Sequence, residues 1–65
     1  MTTEFINKVF DKSGHTRREF ADYLHVSPQT VRKWLKGESE INFVNQKAMR
    51  IIYRDEIQAI VNGEV

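Results

Sequence analysis

Apolar residues return along the chain at intervals of three and four, and no useful stretch alternates apolar with polar. That pattern predicts helices and no strands. Phe5, Ile6, Val9 and Phe10 mark one face of a helix over 3–13, with Thr2 or Thr3 as its cap and Gly14 as its stop. Thr16-Arg17-Arg18-Glu19 reads as a capping box, in which threonine and glutamate satisfy each other's backbone amides. Behind it Phe20, Ala21 and Leu24 form the buried face of a short helix that should stop near Leu24. Ser27-Pro28 opens a third helix over 28–36, because serine caps well and proline at the first position loses no hydrogen bond. Val31, Trp34 and Leu35 form its apolar stripe, with Trp34 expected in the core, and Gly37 ends it. As one helix, residues 43–61 would set Asp55 amid the stripe Val44, Ala48, Ile51, Ile52 and Ala59, an improbable place for a charge. A break near 53–55 removes the conflict. It leaves helices at about 43–53 and 56–62, the second opened by a capping box at 55–58 and carrying Ile57, Ile60 and Val61. The expected fold is all-α, a small bundle of four to five helices.

Length narrows this further. Sixty-five residues suggest one domain over 1–65, with a thin core that oligomerisation often supplements. The absence of cysteine excludes disulfides, thiolate zinc sites and thiol chemistry, and two histidines cannot hold a structural zinc alone. No metal or cofactor is expected. The apolar runs are far shorter than the ~20 residues of a membrane span, and the amino end lacks a basic flank and an apolar stretch. A cytoplasmic protein, with no membrane partner and no small-molecule ligand, is therefore expected.

The net charge of +1 hides an asymmetry: residues 1–14 are neutral, 15–36 carry +3 and 37–65 carry −2. A basic middle third suggests a polyanionic partner, or else a solvated face. The two helices of this third are separated by a very short turn at 24–27, the spacing of a helix-turn-helix. Over 17–36 the fifth position is the small Ala21, where two helices must approach closely, and the fifteenth is the β-branched Val31. Leu24, Val26 and Trp34 complete a small core, and the ninth position, at the turn, commonly needs positive φ.

Residues 17–37 thereby resemble the phage repressor and Cro helix-turn-helix family, of lambda-repressor-like fold, and the flanking helices extend the likeness to about 3–53. That family usually has glycine at the ninth position. Here it is His25, which tolerates left-handed φ better than most residues and is expected as a turn residue. The resemblance implies sequence-specific DNA binding by a dimer, usually to repress transcription, in a bacterial cytoplasm or nucleoid.

Physical chemistry assigns roles within that frame. Gln29 can make two hydrogen bonds to adenine, and Arg32 or Lys33 can read guanine. Ser27 can donate to a base or phosphate, and Pro28 can offer only apolar contact, such as to a thymine methyl. Thr16, Arg17 and the start of their helix suit a phosphate, as do Lys36, Arg18 and Thr30. Arg18 has a second reading as a solvated cation, and Thr30 as a packing residue. His15 precedes the cap of the second helix, close to that phosphate position.

Other classes compete with this one. The apolar surplus of Ile51, Ile52, Ile57, Ile60 and Val61 suits a protein-interaction module of antirepressor or antitoxin type, or a homodimer contact within 43–62, with the last helix as its candidate. An architectural protein that bends DNA during excision is a variant of the first class. No grouping of base, nucleophile or metal ligands points to an enzyme.

Overall fold

The computed structural model describes residues 1–63, which form five α-helices and no strand. Glu64, counted above in the charge of the last third, lies outside them. Helix α1 spans Thr3–Ser13, α2 Arg17–Leu24, α3 Pro28–Lys36, α4 Phe43–Ile52 and α5 Arg54–Val61.

The caps explain why the first three helices begin where they do. The Thr2 hydroxyl accepts from the Phe5 amide at 3.1 Å. At α2 the capping box is complete: Thr16 N–H donates to the Glu19 carboxylate at 2.9 Å, and Glu19 N–H donates to the Thr16 hydroxyl at 3.2 Å. Ser27 accepts from the Thr30 amide at 3.2 Å, and Pro28 opens the first turn of α3.

Helix α2 ends in a Schellman motif, with Val26 N–H bonded to the Ala21 carbonyl and His25 N–H to that of Asp22. The residue in the left-handed position is His25, at φ 57° and ψ 42°. It thus adopts the backbone that glycine normally supplies there. Among the described residues it is the one non-glycine at positive φ.

The carboxyl-terminal half departs from expectation in detail. The break falls on Tyr53 alone (φ −107°, ψ 33°), and α5 starts at Arg54. No side chain caps α5; Asp55 and Glu56 lie in its first turn, where they favour the helix dipole instead of forming the expected box. The cause is tertiary. The Tyr53 ring stacks on Phe20 at 4.5 Å and is 1% exposed, so the chain bends where that ring enters the core.

That core joins Ile6 and Val9 of α1, Phe20, Ala21 and Leu24 of α2, Val31 and Trp34 of α3, and Met49 of α4, with Tyr53 and Ile41 between helices. Ile41 has no periodic neighbours to betray it, yet it is buried in the α3–α4 connection. On α4, Val44 and Ile51 are exposed, and Met49 is the buried residue. Helix α5 packs on α1, with Ile57 and Ile60 half-buried against the core.

Candidate nucleic-acid interface

The geometry of the interface begins at Ala21, which is fully buried where α2 and α3 meet. Val31 and Trp34 are equally buried on the inner side of α3. Their burial fixes the outer side by helical periodicity, and there Gln29, Lys33 and Lys36 are exposed while Arg32 is half-buried.

Between the amino ends of α2 and α3 lies an open groove of about 640 Å³, lined by Thr16, Arg17, Arg18, Pro28, Gln29 and Arg32. Six residues selected from sequence are thus brought together from two helices. Lys33 and Lys36 do not line the groove and lie along the exposed side of α3. Two helix starts open onto the groove, each with the positive end of its dipole; the caps and Pro28 leave the Arg17 and Arg18 amides of α2 and the Gln29 amide of α3 outside the cap hydrogen bonds. No acidic residue occupies the first turn of α3.

Charge in the groove is not neutralised internally. The ion pair among the described residues is Lys8 with Glu4 at 3.7 Å, remote from it in α1. Glu19, the nearest carboxylate in sequence to Arg17 and Arg18, is turned back onto its own cap. The Thr16 backbone N–H, and then the Thr16 hydroxyl, hold its carboxyl below the usual range.

Ser27 and Thr30 play a more local part. Their hydroxyls share a hydrogen bond of 2.9 Å, so together they retain one O–H for an outside acceptor. Thr30 is half-buried, and Pro28 is exposed at the groove's edge.

His15 does not line the groove. Its ring stacks on Tyr23 at 5.0 Å and its Nδ1 lies 3.0 Å from the Tyr53 hydroxyl, which ties it to the aromatic cluster. Sequence reasoning also passed over Asn7, whose side-chain amide reaches the Leu35 carbonyl at 2.9 Å. A polar residue with poor helix propensity beside Ile6 is the signal it carried.

Among the described residues no three metal-ligating side chains come together, and no helix is long and apolar enough to cross a membrane.

The chain is 38% identical over 47 residues to an uncharacterised protein of Methanocaldococcus jannaschii; the match covers 72% of the chain but 29% of that relative. The chain therefore corresponds to less than a third of that protein's length. No solved structure matches. The helix-turn-helix family matches over residues 6–45, which takes in most of α1, the paired helices α2 and α3, and the start of α4. With that match over more than half its length, the chain belongs to the helix-turn-helix family of Cro and C1 type, a family of DNA-binding regulatory domains.

Proposed function

We propose that the protein is a sequence-specific transcriptional regulator of phage or bacterial type, acting in the bacterial cytoplasm or nucleoid, that inserts α3 into the major groove and represses by occupying a palindromic operator as a homodimer. The observation that carries this reading is the groove at two helix amino ends that gathers Arg17, Arg18 and Arg32, none of them ion-paired with a carboxylate among the described residues. Gln29, Arg32 and Lys33 read base edges, with Pro28 and the remaining Ser27–Thr30 hydroxyl beside them. Thr16, Arg17, Arg18, Thr30 and Lys36 hold phosphates and set the register.

One nine-residue helix reads few base pairs, so a second copy is part of the proposal. Two recognition helices related by a twofold axis address half-sites roughly 34 Å apart. The pairing contact falls within 43–62. There Phe43, Val44 and Ile51 of α4 and Val61 of α5 are exposed, whereas Ile60 packs on the core. The same exposed side chains favour the second reading, a module that binds another protein.

Selection from a random duplex pool tests both. Enrichment of a palindrome, with affinity that falls steeply as salt rises, supports the regulator. An unenriched pool bound with no salt dependence sinks it and leaves the protein-binding module.

A further inference from the structure

Helix α3 is held at its far end by a residue of α1. Asn7 is half-buried, and its Nδ2 donates to the Thr3 carbonyl one turn back and to the Leu35 carbonyl, each at 2.9 Å. Both partners are acceptors, so only the NH2 side of the amide fits this position.

Leu35 is the penultimate residue of α3. The helix ends in a Schellman motif, in which Glu38 N–H bonds to the Lys33 carbonyl at 2.9 Å and Gly37 N–H to that of Trp34 at 3.2 Å. Those bonds satisfy two of the four carbonyls that a helix end leaves over, and the Leu35 carbonyl is the next in line. Asn7 takes it. The first turn of α1 also abuts this exit, since a Cβ on Gly37 would come within 3.1 Å of the Thr3 hydroxyl.

We infer that Asn7 is a positioning residue for base recognition: through the Leu35 carbonyl it sets the angle at which α3 presents Gln29, Arg32 and Lys33. The inference rests on the proposed function. Asn7 bears no charge, and its bond is made at the opposite end of α3 from the groove. Its effect therefore passes through the helix and not through a contact with DNA.

The test compares wild type, Asn7→Ala and Tyr53→Phe. Each is titrated with the selected duplex, and with a copy altered at one base pair facing α3, across a salt series. Loss of a single hydrogen bond of ordinary strength should lower the affinity ratio between the two duplexes about three- to tenfold in Asn7→Ala. The salt slope should stay unchanged, because no phosphate contact is lost. Tyr53→Phe loses a hydrogen bond to the α1–α2 turn, away from α3 and its Asn7 contact, so it should keep the wild-type ratio. A general loss of folded protein lowers both affinities alike and leaves the ratio intact. Amide exchange at Gly37 and Glu38 should quicken in Asn7→Ala relative to α2. If Asn7→Ala does not fold, Asn7→Ser makes the same comparison. A variant ratio within twofold of wild type, or unchanged exchange at Gly37 and Glu38, overturns the inference alone. A wild-type protein with no preference among duplexes overturns the proposed function and this inference with it.

Discussion

The hydroxyl of Tyr53 lies 3.0 Å from Nδ1 of His15, a bond that joins the α1–α2 turn to the hinge between α4 and α5 across 38 residues of sequence. Around it, His15 stacks on Tyr23 and Tyr53 stacks on Phe20, while Phe10 meets Phe20 edge-on at 5.3 Å. This aromatic cluster fastens the carboxyl-terminal helices to the start of α2.

Burial, and then the charges of Tyr23, Glu56 and Glu19, push the Tyr53 phenol up to about 12. Its folded pKa lies above its unfolded one, so the stability it contributes is fully present below pH ~10 and is lost as pH rises toward 12. Thermal unfolding of wild type and Tyr53→Phe should show it. The variant should be less stable at neutral pH by about 1 kcal/mol, the net worth of a hydrogen bond. That deficit should shrink above pH ~10, since phenylalanine has no proton to lose. Parallel curves for the two proteins from neutral pH to 12 would contradict the assignment.

His25 holds a left-handed backbone that side chains enter at a cost. Glycine there should raise the melting temperature by a few degrees, equivalent to roughly 0.5–1 kcal/mol once its greater unfolded entropy is deducted. Valine, β-branched and poorly suited to positive φ, should lower it by more. Circular dichroism melts of His25→Gly and His25→Val decide the matter, and equal melting points would mean that the turn stores no strain.

On the reading face, Gln29→Ala should cost about 1–3 kcal/mol on the selected site and relax the choice of base at one position. Lys36→Ala should weaken every duplex alike and reduce the salt slope by about one. Mobility-shift titrations in which Gln29→Ala and Arg32→Ala both bind as wild type would reject the assigned face.

Self-association should separate two isoleucines. Ile51 is 76% exposed, so Ile51→Asp should leave stability within about 0.5 kcal/mol while weakening the proposed dimer and its hold on a palindrome. Ile60 packs on the core, and Ile60→Asp should destabilise the fold itself by burying an unpaired charge. Sedimentation and thermal melts of both variants read the difference. An Ile51→Asp protein that associates as wild type would move the contact off α4.

What could be read from sequence was whatever a helix declares locally. Thr2, Thr16 with Glu19, Ser27, Gly14 and Gly37 act within a few residues of themselves, and the bounds of α1, α2 and α3 follow from them. Tyr53 shows the limit. Its stacking on Phe20 decides where α4 ends, and no rule of local spacing contains that partner. Ile41 is buried without periodicity, and Asn7 meets Leu35 across 28 residues. For the interface, amphipathicity identified the outer side of α3. It did not disclose that Thr16, Arg17 and Arg18 would share a groove with Pro28, Gln29 and Arg32, because that depends on how closely Ala21 lets the helices approach.

The anchorage of α3 has an evolutionary consequence. Its entrance is secured by Ser27, its exit by Gly37 and Asn7, and its underside by Val31 and Trp34. The side chains at 29, 33 and 36 face solvent and take no part in the packed core. If α3 reads DNA as proposed, substitutions at those positions can change the target while the architecture beneath them persists.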